Sequence, residues 1–294
     1  MTISMILNPG AGQGDVAEVL RRFAAEREVE LHETQSEGDA RRAARAAVDA
    51  GRTTLIVVGG DGTLHEAVNG LAPDFAALSL LIVPGGTAND FARTLGLPDT
   101  PAEALALLER GREARIDLAA MIDDQGTRYV LNAATGGFSE QVHEQLDDQM
   151  KKTWGALAYL RAAAQAVTEP RLYHARLHVD GREMEASTYS IVVANGRFAG
   201  GGMPLAPRAS PEDHRLDLLA ITSADLWSQL RAASSFVFGG ESETSGALIQ
   251  RGNEIRVETV PEMLFSSDGE PVGRTPVVFR VLPGALRVFV PGEG

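Results

Sequence analysis

Short apolar runs, rich in β-branched residues, alternate with amphipathic stretches through roughly the first 115 of the chain's 294 residues. The runs predict strands at 3–8, 29–34, 53–58 and 78–83. Between them, helical periods predict helices over 15–27, 39–50, 63–71, 89–95 and 101–110. Leu64, Ala67, Val68 and Leu71, for example, fall on one helical face. Gly51 stands at a C′ position, and Gly96 and Pro98 stop the fourth helix. Strand and helix in strict alternation mean a parallel sheet covered by helices.

Beyond residue 116 the rhythm changes. Apolar runs at 115–122 and 127–134 flank Asp123-Asp124-Gln125-Gly126, and runs at 177–179 and 183–187 flank Asp180-Gly181, both hairpin patterns. Further strands are expected at 189–195, 216–221, 254–259, 263–266, 277–282 and 285–290, with helices near 139–167 and 224–238. The fold expected is therefore α/β over 1–116, followed by a mostly antiparallel, β-rich domain over 117–284. Whether 285–294 return to complete the first domain is left open. There is no internal repeat and no low-complexity linker.

The chemistry suggested by the first half lies in its glycine turns. Val57-Val58-Gly59-Gly60-Asp61-Gly62-Thr63 and Val83-Pro84-Gly85-Gly86-Thr87-Ala88-Asn89-Asp90-Phe91 each carry a strand through glycines into a helix start. Such turns surround a space with unpaired backbone N–H groups, where a phosphate can sit. Ligands of parallel sheets bind outside the carboxyl ends of the strands, where these turns and Asn8-Pro9-Gly10 fall. An acid in a phosphate turn repels its guest unless a cation lies between, so Asp61 suggests Mg²⁺ with a nucleotide. An ordinary helix-capping Asp is the plainer alternative. Two such turns in adjacent units favour the phosphate.

Composition narrows the choice. Net charge is −13, against the basic surface that nucleic-acid binding or docking on anionic lipid requires. Cysteine is absent, which removes disulfides, thiolate metal sites and a cysteine nucleophile. The only lysines are Lys151 and Lys152, so no Walker-type lysine exists in residues 1–150. Gly10-Ala11-Gly12-Gln13-Gly14-Asp15 fails the dinucleotide fingerprint at Asp15, no His-Glu-x-x-His occurs, and Gly137-Phe138-Ser139-Glu140-Gln141 lacks the last glycine of a nucleophile elbow. No apolar run approaches the roughly 18 residues of a membrane span. The N-terminal segment does not read as a signal peptide, so a cytoplasmic location is expected.

Four stretches of the second half stand out. Ser266-Ser267-Asp268-Gly269-Glu270-Pro271 sets two carboxylates around a glycine, fit to take a proton from a hydroxyl or merely a solvated turn. The glycine-rich run from Asn195-Gly196-Arg197 to Pro204 reads as close packing against a cleft, or as a flexible loop. Ser210-Pro211-Glu212-Asp213-His214-Arg215 is a small metal loop or an acidic turn. Lys151, Lys152 and Trp154 open an apolar helix that either touches a membrane surface or packs inside.

Taken in order, several motifs resemble the bacterial lipid kinases related to diacylglycerol, sphingosine and ceramide kinases, especially those of the YegS type, and more distantly NAD kinases. They are Asn8-Pro9-Gly10, Gly59-Gly60-Asp61-Gly62-Thr63, Pro84-Gly85-Gly86-Thr87-Ala88-Asn89-Asp90-Phe91-Ala92, Ala134-Thr135-Gly136-Gly137-Phe138, Asn195-Gly196-Arg197 and Asp268-Gly269-Glu270-Pro271. The second is shared with NAD kinases and phosphofructokinases; the third points to the lipid branch. The resemblance implies an ATP cleft between the two domains, with Asn8, Thr34, Gly59, Gly60, Asp61, Gly62, Thr63, Leu64, His65, Glu66, Gly86, Thr87, Asn89 and Asp90 as nucleotide contacts. It implies that Asp61 works through Mg²⁺ and that Glu270, with Asp268, activates the lipid hydroxyl. It also implies a second, structural metal on Ser210, Asp213 and Arg215. His214 departs from that pattern, standing where the family usually has glycine.

The reaction expected is transfer of the γ-phosphoryl group of ATP, with Mg²⁺, to a lipid hydroxyl such as that of diacylglycerol or phosphatidylglycerol. Two alternatives are an NAD kinase and a non-catalytic nucleotide- or lipid-binding regulator. The partner expected is a lipid at the membrane surface, met peripherally, with no nucleic acid and no transmembrane segment. The acceptor and the oligomeric state, a homodimer being one option, stay open.

Overall fold

The computed structural model describes residues 2–11, 16–137, 171–199, 201–202, 204–223, 246–267 and 270–292. The chain forms two compact units, Met1–Ile116 with Pro283–Gly294, and Asp117–Leu282.

In the first unit, β1 (Ile3–Leu7), β2 (Glu30–Glu33), β3 (Thr54–Gly59) and β4 (Ser79–Pro84) form a parallel sheet in the order β2-β1-β3-β4. Every residue of β3 and β4 is buried, as continuous apolar strands covered by helices require. The helices are α1 (Val16–Glu26), α2 (Asp39–Asp49), α3 (Asp61–Leu71), α4 (Asp90–Thr94) and α5 (Pro101–Arg110). α5 covers the expected 101–110, with Pro101 in the first turn and Thr100 Oγ1 accepting the Glu103 N–H at 3.3 Å. Gly51, at φ 65°, turns the chain out of α2.

The second unit is built of antiparallel strands. β5 (Arg112–Asp123), which begins in the first unit, pairs with β6 (Gly126–Val130). β7 (Ala133–Gly137), β10 (Ser190–Ala194), β11 (Leu216–Ile221), β12 (Ala247–Gly252), β14 (Leu264–Ser267) and β15 (Glu270–Arg274) make a six-stranded sheet in the order β12-β11-β10-β7-β14-β15. β8 (Tyr173–Val179), β9 (Arg182–Thr188) and β13 (Glu254–Val260) lie beside the first part of the last strand, β16 (Val277–Val290). The apolar faces meet in one core that includes Tyr173, Leu177, Ile191, Leu218, Val257, Phe265 and Phe279, all fully buried or nearly so. Asp180 and Gly181 both take positive φ, 46° and 84°, as a tight hairpin turn demands.

Several elements differ from expectation. The run 127–134 is two strands in two sheets, because buried Asn132 breaks it: its carbonyl accepts the N–H groups of Asn195 and Gly196, each at 2.8 Å, and its side chain bonds the Phe198 carbonyl. The runs 277–282 and 285–290 are one strand, β16, which passes Pro283 and Gly284 (φ 53°) and ends parallel to β4 through Arg287 and Val288. Strands β12 and β15 were not anticipated. The expected helices at 139–167 and 224–238, with Lys151, Lys152 and Trp154, lie outside the described residues, as do residues 12–15. Among the described residues no helix is long and apolar enough to cross a membrane.

Candidate active site

The parallel order β1-β3-β4 sets three glycine-bearing turns side by side at the carboxyl ends of neighbouring strands. Backbone bonds continue the ladder one residue past the strands: Asn8 N–H donates to the Val58 carbonyl at 3.0 Å, Gly85 N–H to Gly59 at 2.9 Å, and Thr34 N–H to Leu7 at 2.9 Å. Asn8, Thr34, Gly59–Asp61 and Gly85–Thr87 are thus brought to one rim.

The turns fit one another through missing side chains. A Cβ on Gly86 would lie 2.6 Å from Gly60 Cα, and one on Gly85 2.6 Å from Ala11 Cβ. A Cβ on Gly59 would meet the Thr63 side chain at 2.6–2.8 Å. Gly62, by contrast, is exposed, with no described atom within 4 Å of its would-be Cβ. Polar side chains lock the arrangement. Asn8 Nδ2 donates to Thr63 Oγ1 at 3.1 Å while its Oδ1 accepts the Gly10 N–H at 2.9 Å. Asn89, left-handed at φ 51°, grips Gly86 from both sides, accepting its N–H and donating to its carbonyl at 2.9 Å each. Arg93 Nε donates to the Ala88 carbonyl at 2.8 Å, a clasp that the sequence reading did not single out.

α3 has Gly60 at its N-cap, a residue with no side chain to cap the first N–H groups. An 11-residue helix with such an end presents donors and the positive end of its dipole to an anion. Asp61 sits at this end, and its Oδ1 accepts the Phe91 N–H at 3.3 Å, tying the β3 turn to α4. A glycine-lined rim, the N–H groups of a helix start with glycine at its N-cap, and one carboxylate are the donor set that a nucleotide phosphate with Mg²⁺ requires, so these residues fit that group. Not every expected contact faces the rim. Leu64 is buried in the core, Asp90 is buried, and Glu66 Oε2 accepts the Ala40 N–H at 3.2 Å, capping α2. His65 carries a contact to Asn69 one turn on.

In the second unit, β14 runs beside β7 and, past a bulge between Phe265 and Ser266, pairs antiparallel with β15. Ser267 and Glu270 are cross-strand partners; Asp268 and Gly269 lie outside the described residues. Asn195 is a buried clasp whose Nδ2 donates to the carbonyls of Asp117 (2.9 Å) and Leu131 (2.7 Å).

The loop expected to carry a second metal has other partners. Asp213 Oδ2 is bound by Arg251 Nη2, and Oδ1 accepts the Arg215 N–H at 3.1 Å. The Ser210 carbonyl accepts the Asp213 N–H at 3.3 Å. A guanidinium already neutralises the carboxylate on which a cation would have to sit, so these residues do not fit a second divalent metal. Arg251 Nε also lies 3.0 Å from Asp217 Oδ1. Burial raises the Asp217 carboxyl to about 6, against the pull of Arg251.

Comparison with known proteins bears on family and fold. Residues 2–121 match the diacylglycerol kinase catalytic domain, and residues 133–290 match the YegS C-terminal NAD kinase beta sandwich-like domain. The chain belongs to the YegS-like lipid kinases. A "Probable lipid kinase YegS-like" of Pseudomonas aeruginosa is 37% identical over 96% of this chain and 91% of its own length. One of the same description from Alcanivorax borkumensis is 34% identical over 90% of this chain and 87% of its own. A crystal structure of a diacylglycerol kinase from Bacillus anthracis has a TM-score of 0.74 and 26% identity, covering 98% of this chain and 96% of that one. Another chain from that organism reaches a TM-score of 0.83 at 28% identity, covering 98% and 95%.

Proposed function

We propose that the chain transfers the γ-phosphoryl group of ATP, with Mg²⁺, to the hydroxyl of a membrane lipid of the diacylglycerol or phosphatidylglycerol kind. The observation that carries this reading is the convergence of Asn8, Gly59–Asp61 and Gly85–Thr87 on one rim, with the start of α3 among them. The first unit is then the nucleotide-binding domain and the second the lipid-substrate domain. Backbone N–H groups of the two turns and the α3 start hold the phosphates; Asn8, Thr34 and Thr63 line the rim beside them; Asn89 keeps the Gly86–Thr87 turn in shape. Asp61 is the residue that would hold Mg²⁺, which supplies charge neutralisation on the phosphates. Glu270, with Asp268 beside it in sequence, takes the proton from the lipid hydroxyl as its oxygen attacks the γ-phosphorus, and ADP leaves. The lipid is met peripherally at the cytoplasmic face of the membrane.

The test is transfer from γ-labelled ATP with Mg²⁺ to a panel of diacylglycerol, phosphatidylglycerol, sphingosine, ceramide and NAD. Label in a glycerolipid is the expected result. Label in NAD alone, or ATP binding with no transfer to any acceptor, overturns the proposal.

A further inference from the structure

We propose that the guanidinium of Arg251 takes the place of a structural cation at the 210–215 loop, so that the second unit holds this loop without a divalent metal. Three carboxylates converge there, and two, Asp117 and Asp217, are 0% and 1% exposed. Buried carboxylates are held only with a countercharge or several donors. Arg251 supplies the charge on one side. It is the register partner of Asp217 across β11 and β12, its Nε reaches Asp217, and its Nη2 binds Asp213. One guanidinium therefore joins the loop to the sheet, as a cation bridging two acids would. A divalent ion on Asp213 would lie beside that guanidinium, two like charges in a half-buried place.

His214 secures the other side. It adopts φ 61°, the left-handed region where glycine is the usual choice. Its N–H donates to Asp117 Oδ2 at 2.7 Å, and its Nδ1 lies 2.9 Å from Asp117 Oδ1. Asp117 N–H in turn donates to the Pro211 carbonyl at 2.7 Å, and Asn253 Nδ2 to the His214 carbonyl at 2.8 Å. A side chain at 214 thus sets against its backbone cost one contact that glycine lacks, Nδ1 to Asp117. The loop is closed from both flanks by groups of this chain.

The experiment uses the full-length, nucleotide-free protein in the Asp61→Ala background, which removes the proposed Mg²⁺ residue of the first unit. Elemental analysis after dialysis, and thermal unfolding in EDTA and in millimolar Mg²⁺ or Ca²⁺, are compared with Arg251 present and replaced. With Arg251 the protein is expected to hold no stoichiometric metal and to unfold at the same temperature in all three solutions. Arg251→Met is expected to lower the unfolding temperature by about 5–10 °C and to regain part of the loss with Ca²⁺ or Mg²⁺. The double change Arg251→Met with Asp213→Asn should not respond to either ion. If Arg251→Met does not fold, Arg251→Gln takes its place in the series. Metal retained through dialysis or a drop in EDTA while Arg251 is present overturns the proposal. So does an Arg251 variant that is as stable as its parent, or one that is destabilised but deaf to metal.

Discussion

Gly60 and Gly86 approach so closely that a Cβ on Gly86 would lie 2.6 Å from Gly60 Cα and 3.0 Å from Asn89 Oδ1. Both obstacles are on the turns themselves, so Gly86→Ala must push the β3 and β4 turns apart. Overpacking of this kind costs about 1–3 kcal/mol. We expect ATP affinity, measured by calorimetry, to weaken about 10-fold or more, with the first unit destabilised.

Asn89 serves the same turn by conformation and by its side chain. Asn89→Gly keeps the left-handed backbone but loses the two bonds to Gly86, whereas Asn89→Ala loses both. A left-handed alanine costs about 1–2 kcal/mol, so denaturant unfolding should rank wild type above Asn89→Gly and Asn89→Gly above Asn89→Ala. Equal stability of the two variants would assign the whole effect to the side chain.

Glu270 has a different task from the rim residues, and its loss should read out differently. Glu270→Gln is expected to slow lipid phosphorylation by ~10²–10⁴-fold while ATP affinity stays within about 2-fold of wild type. A normal rate in this variant removes Glu270 from the role of base.

Asn195 stands in one of the motifs on which the resemblance rests, yet its described contacts are structural. Removing Nδ2 takes one donor from each of the Asp117 and Leu131 carbonyls inside the core. Asn195→Ala should cost about 1–3 kcal/mol in unfolding experiments, with ATP affinity unchanged. A loss of ATP affinity at full stability would place Asn195 in the site instead.

The parallel half was legible because its signals are local. Each strand is a short apolar run, each helix has its own period, and the glycines of 59–62 and 85–86 mark where one passes into the other. The Asp180-Gly181 hairpin was legible for the same reason. What was not legible depends on partners remote in sequence. Nothing around Asn132 shows that the N–H groups of Asn195 and Gly196 will break its strand. β15 exists as a strand because β14 lies beside it, not because its own residues alternate. Leu64 and Glu66 sit within the Gly-Gly-Asp-Gly-Thr neighbourhood, but helical geometry turns one into the core and the other onto the N-terminus of α2. The partner of Asp213 was not legible in 210–215 either, because Arg251 comes from a strand almost forty residues on.

The most direct measurement is phosphoryl transfer to the labelled glycerolipid by wild type and Asp61→Ala side by side, with unfolding temperatures recorded for both. The account predicts a labelled lipid with wild type and a loss of label by two orders of magnitude or more with Asp61→Ala, while the variant remains folded, an effect of the size expected when a charge-stabilising group is removed, ~10²–10³-fold. Undiminished transfer by a folded Asp61→Ala would contradict it.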